Sequence, residues 1–319
     1  MKKIFYFLFV LSLTSIAVSC SSDDALPNEA ENPENPEVPG NTNLYKLVVK
    51  NFTVSTNAIF DSTTYQLENS KIKSTQRIVV ATGVITSTQY SYTNDKISSI
   101  VASESGVIRS KQFFAYQNNK LSEFKTETYN LNNALTEISK HTFVQTGDTI
   151  YSEWKKSTDG TNYTVHSTSK LKLENGNTVF YEGNFGSDVS RIIMQFDSNG
   201  NPLTEKYFNK QQGENEFLPT GESTITYDAA INTFGKIMEA TYGREVTMYL
   251  SHLESNAVNL FRVKKFARNT IKTFQSDSAV YGFEINNTIN AENFAKKIEY
   301  LFFLDTELLT KFEQEFYFN

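Results

Sequence analysis

The sequence predicts an all-β protein, an extended, twisted antiparallel meander built from repeated hairpins. Three observations carry this expectation. Asparagine-led turn dipeptides recur at Asn69, Asn94 and Asn118, spaced by 25 and 24 residues, and again at Asn175 and Asn199, spaced by 24; a fixed period of this size marks a repeated supersecondary unit. The segments between the turns are short and alternate apolar with polar, the period-two pattern of a strand with one buried face. The chain also holds 17 tyrosines and 25 phenylalanines, residues that pack well on a pleated surface.

Taken in order, the N-terminus is a leader. Lys2 and Lys3 precede an apolar run, Ile4 to Val18, which has the length of a secretory h-region and is short for a bilayer-spanning helix. Residues 1–19 therefore read as a signal peptide. Cys20 is the chain's single cysteine, so no disulfide framework supports the fold and the core must do so. Residues 20–43 hold four of the six prolines (Pro27, Pro33, Pro36 and Pro39), are acidic and lack aromatics. Such a segment buries too little apolar surface to offset its ordering entropy, and it reads as an extended tether. The sheet domain is expected over residues 44–319.

Within that domain "LENSKI" (67–72), "YTNDKI" (92–97) and "YQNNKL" (116–121) share one pattern. Two-residue hairpin turns need positive φ at both central positions, and asparagine and glycine tolerate it best. A turn at each dipeptide sets Leu67 opposite Ile72, Tyr92 opposite Ile97 and Tyr116 opposite Leu121. It also sets Glu68 opposite Lys71 as an ion pair, and Phe196 opposite Leu203 around Asn199 and Gly200. Each hairpin then opens with an apolar cross-strand pair, about 0.2–1 kcal/mol better than an alanine pair. Ile97 and Ile100, like Leu121 and Phe124, lie three apart, which requires either a bulge or apolar contacts on both sheet faces. Residues 251–268 have few turn signals and helical apolar spacing at Leu253, Ala257, Leu260 and Phe261, so one short helix is expected there. Residues 280–287, 295–305 and 311–318 read as the closing strands.

Several stretches resemble known families. "AVSC", Ala17 to Cys20, resembles the lipobox of bacterial lipoproteins, which implies cleavage before Cys20, palmitate-type acylation of its sulfur and amine, and attachment to a membrane through lipid. "CSSDD" is similar to the signal that follows the lipidated cysteine in surface-displayed Bacteroidota lipoproteins. It implies an outer-membrane anchor with the domain on the cell surface, or otherwise in the periplasm. "FDSNGNPL" (196–203) and "TYDAAINTFGKI" (226–237), the latter with a longer loop, resemble the YD-type repeats of Rhs-like proteins, and the chain as a whole looks like uncharacterised Bacteroidota lipoproteins built from such sheets. "DST" (61–63), "DTI" (148–150) and "DSA" (277–279) resemble Bacteroidota O-glycosylation acceptors, which would make Ser62, Thr149 and Ser278 glycan sites.

Composition narrows the function. Formal net charge is −6 and becomes −8 once Lys2 and Lys3 leave with the leader; an acidic chain without a basic run is a poor nucleic-acid binder. No nucleophile elbow, phosphate loop, dinucleotide-binding glycine pattern or H-E-x-x-H motif is present. The three histidines, His141, His166 and His252, read as solvated strand side chains rather than metal ligands, and no metal or cofactor is expected. Exposed rings on a sheet can stack on sugars or peptide side chains, and Tyr151, Trp154, Tyr163, Tyr181 and Phe185 are the candidates for that role. The expected function is a non-catalytic binding or scaffold module for a glycan or protein ligand. The alternative is an envelope hydrolase or carbohydrate-processing enzyme whose acidic residues converge only in the folded chain.

Overall fold

The structure is a computed structural model that describes residues 43–174, 178–185, 188–253, 259–277, 281–304 and 306–319. Eighteen strands form one antiparallel sheet. The first nine are β1 (Leu44–Thr53), β2 (Ala58–Glu68), β3 (Lys71–Val79), β4 (Val84–Thr93), β5 (Lys96–Glu104), β6 (Val107–Gln117), β7 (Lys120–Tyr129), β8 (Leu135–Thr146) and β9 (Thr149–Ser157). There follow β10 (Thr164–Glu174), β11 (Thr178–Phe185), β12 (Asp188–Phe196), β13 (Pro202–Lys210) and β14 (Leu218–Ile231). Three helices interrupt the meander: α1 (Thr233–Tyr242), α2 (Arg244–Leu253) and α3 (Asn259–Val263). It resumes with β15 (Asn269–Ser276), β16 (Tyr281–Ile289), β17 (Ala295–Leu304) and β18 (Glu307–Phe318).

Consecutive strands pair from β1 to β15 and again from β16 to β18. β18 returns to pair with β1, Leu47 opposite Phe316. β15 and β16 are adjacent in the sheet order; at that seam Phe274 meets Phe283 at 5.4 Å between ring centres, and Asn287 Nδ2 donates to the Ile271 carbonyl at 3.2 Å. The meander expected from the sequence is thus rolled into a nearly closed barrel, which leaves few unpaired edges for other chains to add to.

The turns follow the expected chemistry. Both central residues have positive φ at Asn69–Ser70 (51° and 64°), Asn94–Asp95 (51° and 67°) and Asn118–Asn119 (51° and 70°). Leu67 pairs with Ile72, Tyr92 with Ile97 and Tyr116 with Leu121. A bulge follows each turn, because the register shifts by one residue. Lys73, Ser98 and Ser122 are the extra residues, and the hydroxyls of Ser98 and Ser122 each donate to a carbonyl across the hairpin at 3.1 Å. The bulges resolve the three-residue apolar spacing, since Ile97 and Ile100 both point inward and are buried. They also add the local twist that curls a sheet into a barrel.

The repeated lysine joins neighbouring hairpins. Lys71 does not pair with Glu68, as expected from their opposition, and reaches the next turn instead. Its ammonium donates to the Asp95 carbonyl at 2.8 Å and to the Asp95 carboxylate, and it lies 5.3 Å from the Tyr92 ring centre. Glu68 pairs with Lys73, at 3.3 Å. Lys96 repeats the arrangement one unit on, donating to the Asn119 carbonyl with its ammonium 4.7 Å from the centre of Tyr116. Around Asn199 the expected tight hairpin is a wider turn. Phe196 pairs with Pro202 rather than Leu203, and the Asp197 carboxylate accepts from the backbone of Asn199 and Asn201, at 2.9 and 2.8 Å.

The helical segment also departs from expectation. One helix is expected over 251–268, whereas three occur among the described residues between 233 and 263, and "TYDAAINTFGKI" is the end of β14 running into α1 rather than a long-looped repeat. The excursion leaves after Ile231 and returns at Asn269, and these two residues pair. Asn232 closes it. Its side-chain oxygen accepts from Gly235 N at 3.1 Å, capping α1, while its Nδ2 donates to the carbonyls of Lys264 and Ala267, at 2.8 and 2.9 Å. A Cβ on Gly235 would sit 2.5 Å from the Ala267 oxygen, so only glycine fits.

The helices fold into the barrel at the rim that carries the asparagine turns. Their apolar residues Phe234, Ile237, Met248, Leu260 and Val263, with Phe266 just after α3, share one core with strand residues from around the ring, including Leu47, Ile72, Leu171, Met194, Ile225, Ile298 and Phe316. Thr241 accepts from Ile72 N at 3.1 Å, the Tyr249 and Ser169 hydroxyls are 2.9 Å apart, and Thr233 donates to the Ala295 carbonyl at 2.8 Å. Contacts to β3, β10 and β17 place the segment inside the ring. Toward the opposite rim inward positions become polar, as where Asp61 accepts from Asn51 and Arg77, both at 2.6 Å.

The outer face is different in kind. Opposite Leu47 and Val49 in the alternation stands Lys50, paired with Glu315 at 3.0 Å. Lys297 pairs with Glu313 at 3.0 Å and Lys311 with Glu299 at 2.9 Å. Further round, Lys140 pairs with Glu123 at 2.6 Å, and Glu182 holds both Lys170 (3.1 Å) and Arg191 (2.9 Å). Mid-strand charge therefore lines much of the wall.

Candidate functional site

Where α1 meets α2 the plug leaves a cleft of about 480 Å³ against the rim. On the barrel side it is bounded by the turn residues Asn94, Asp95, Asn119 and Lys120, and on the helix side by Tyr242, Gly243, Arg244 and Glu245. Tyr116, Leu121, Phe143, Ile150 and Tyr249 form an apolar floor. The elements that build it are those the repeat dictates: successive hairpins bring their turns side by side, and Lys71 and Lys96 each bond the turn that follows.

Charge in the cleft is balanced and largely committed. Lys96, Lys120 and Arg244 face Asp95, Glu239 and Glu245. Arg244 donates to the carbonyls of Phe266 at 2.7 Å and Gly200 at 2.5 Å, and Glu239 accepts from Arg268 at 2.6 Å. Burial lowers the Arg244 pKa, and the neighbouring Arg268 lowers it further. Burial raises the phenol pKa of Tyr116, and raises that of Tyr242 well above its ordinary value, so both stay protonated at neutral pH and can donate.

The sequence-predicted aromatics do not come together. Tyr181 is buried inside the barrel and stacked on His252 at 5.0 Å. Trp154 lies inward between two histidines, 5.5 Å from His141 and 4.2 Å from His166, with its Nε1 donating to Ser139 Oγ at 2.5 Å. Tyr163 is half-buried in the loop after β9. Tyr151 is the one that faces solvent, 49% exposed beside Val144 at 63% on the outer wall, where a shallow hollow also involves Thr142, Thr168 and Asn184. Phe185 ends β11, and its side chain lies outside the described residues, as do Cys20 and Ser278. Ser62, on β2, and Thr149, at the start of β9, are half-buried.

Two histidines correct the expectation of solvated strand positions. His141 is buried among rings, and burial lowers its pKa to about 4. His252 is buried on α2, not on a strand. Burial and then the Arg262 charge lower its pKa to about 3, and its Nδ1 lies 2.6 Å from the Met248 carbonyl. Among the described residues no group of three or more His, Cys, Asp or Glu side chains is placed to hold a metal.

Sequence reasoning missed the ionic contact between plug and wall. Arg262 on α3 donates to Glu205 on β13 at 2.8 Å, and Tyr207 also donates to that carboxylate. Glu205 is 0% exposed and Arg262 7%. The half-buried Lys264 sits among four rings, 4.4 Å from the centre of Phe312, 4.7 Å from Phe261, 5.0 Å from Tyr300 and 5.5 Å from Phe234. Burial pulls its pKa down to about 7.

The sequence matches no protein-family model and no curated protein. Among solved structures, a porin-like protein from Bacteroides uniformis aligns at a TM-score of 0.38 and 11% identity, covering 88% of this chain and 98% of that one. A porin-like protein from Bacteroides vulgatus aligns at 0.38 and 13%, covering 87% and 99%. Similarity at this level leaves function to the residues themselves.

Proposed function

We propose that the chain is a lipid-tethered module of the cell envelope whose barrel stands in water beside the membrane, and that it binds a ligand at the rim cleft without catalysing a reaction. The single observation that carries this reading is the inverted polarity of the barrel, apolar and helix-filled inside at the asparagine-turn rim and charged outside.

A barrel that crosses a bilayer presents an apolar outer band, and each Lys or Arg at the midplane costs about 2–4 kcal/mol. Lys50, Lys125, Lys140, Lys170 and Arg191 sit mid-strand on β1, β7, β8, β10 and β12 and are ion-paired on the wall. Those five residues alone oppose insertion by about 10–20 kcal/mol. Attachment then falls to Cys20, where two or more acyl chains give stable anchoring that one does not. The committed charges of the cleft favour recognition over proton transfer, because a general acid or base must be free to exchange its proton with a substrate.

Fractionation tests the reading. The wild-type chain is expected to stay with membranes until detergent is added, and Cys20→Ala, expressed with residues 1–19 replaced by a secretory leader cleaved without lipidation, to appear in the buffer-soluble fraction with an unchanged circular-dichroism spectrum. A folded Cys20→Ala protein that still requires detergent overturns the proposal.

A further inference from the structure

We propose that the rim cleft takes an uncharged oligosaccharide. This rests on the binding reading above and narrows it to a ligand class.

The repeat itself supplies the first argument. Tyr92 and Tyr116 occupy equivalent hairpin positions, each under the lysine that follows the turn of the preceding hairpin, Lys71 and Lys96. The Tyr92 hydroxyl is committed, donating to the Ile72 carbonyl at 2.6 Å. The Tyr116 hydroxyl makes no hydrogen bond among the described residues, and it lies in the cleft. One copy of the unit uses its phenol to hold the barrel together; the copy at the cleft presents the same group to a ligand.

Electrostatics supply the second. Three cationic and three anionic side chains line the cleft, and Lys96, Arg244 and Glu239 are already bonded to protein atoms. The remaining field selects neither an anion nor a cation. The exposed amides of Asn94 and Asn119 each offer a donor and an acceptor, which suits sugar hydroxyls that do both. The half-buried Tyr116 offers an amphipathic ring below them, and a volume of about 480 Å³ lies within the range of small-ligand sites, about 300–1,000 Å³.

Topology supplies the third. An extended peptide is usually captured by strand addition to an open sheet edge. The strands at this rim, β4 to β9, are each paired on both sides, so that route is closed here.

The test uses the full lipidated chain in detergent micelles, titrated calorimetrically with maltohexaose, cellohexaose, mannohexaose and xylohexaose. At least one is expected to bind. Tyr116→Ala should weaken that binding about tenfold or more, the scale of one lost ring contact together with its hydrogen bond. Asn119→Gly, which keeps the positive φ of the exposed turn (70°) and removes only the amide, should weaken it by a few-fold without affecting folding, and Tyr151→Ala on the outer wall should leave it unchanged. Absence of heat with all four sugars at about 10 mM, or sugar binding that survives both cleft substitutions, overturns the proposal. A parallel arm measures protection of Tyr116 from iodination by a synthetic pool of random decapeptides. If peptides protect Tyr116 and sugars do not, the cleft is a binding site and the sugar assignment falls. If neither protects it, the binding reading falls as well.

Discussion

Arg262→Met should strongly destabilise the barrel. Arg262 and Glu205 are 2.8 Å apart, 7% and 0% exposed, and they join α3 to the wall. Burial works against the Arg262 charge and the Glu205 carboxylate outweighs it, leaving the guanidinium pKa above its ordinary value. Methionine keeps much of the side chain's volume and removes the charge. Glu205 then stays buried with Tyr207 as its remaining named donor. Breaking a buried pair from one side costs about 3–5 kcal/mol, whereas replacing both members with neutral groups is often close to neutral. The double variant Glu205→Gln/Arg262→Met should therefore recover most of the loss, giving a coupling of about 2–4 kcal/mol in the cycle. Urea unfolding of the Cys20→Ala chain measures this. The single tryptophan, Trp154, is a built-in reporter, being stacked on His141 inside the barrel. A loss below about 1 kcal/mol for Arg262→Met, or additive single variants, would mean that α3 is not held against β13 in a dry interior.

Three further outcomes follow from the geometry. His141 and His252 have folded pKa values lowered to about 4 and about 3, against about 6.5 unfolded. At these two sites the unfolded chain thus takes up protons first, so the stability they contribute should hold above about pH 6.5 and fall steadily on acidification toward pH 4, with His252→Phe flattening the slope; a melting temperature constant from pH 7 to pH 4.5 refutes this. Gly235→Ala places a methyl 2.5 Å from the Ala267 carbonyl and should cost about 1–3 kcal/mol in the same urea assay, and a neutral result means that α1 does not close on Ala267. Asn94→Val puts a β-branched residue at φ 51° and should cost about 1–2 kcal/mol, with little or no cost counting against the paired positive-φ turn.

The hairpins were legible because their determinants are local. Two adjacent positive-φ positions, a fixed lysine and an apolar pair all lie within six residues, so Asn94–Asp95 announces both turn and register. The spacing of Ile97 and Ile100 left a bulge and a sheet covered on both faces equally open, and the register shift decides for the bulge. Closure was not, because the β1–β18 ladder joins Leu47 to Phe316 and no local signal marks it. The plug was only partly visible. The helix-like spacing at Leu253 to Phe261 pointed to the right region, but α1 begins "TFG" after a strand-like "TITY", with Asn232 as its cap the one local sign. The cleft escaped because its floor comes from Tyr116, Phe143, Ile150 and Tyr249, residues that meet only when the helix junction docks under the rim. The exposed-aromatic reading failed for Tyr181 because in a barrel with an apolar interior a large ring on an inward position is core.

The direction in which the wall faces can be measured at one site. Val144 is the most exposed apolar residue named on the outer face of β8. Once Cys20 is acylated, Val144→Cys introduces the only free thiol and can carry a nitroxide label in native membranes. Collision rates with a water-soluble nickel chelate and with membrane-partitioned oxygen then report the surroundings. The account predicts high accessibility to nickel and low accessibility to oxygen; the reverse, oxygen favoured and nickel excluded, would put the charged wall in lipid and contradict it.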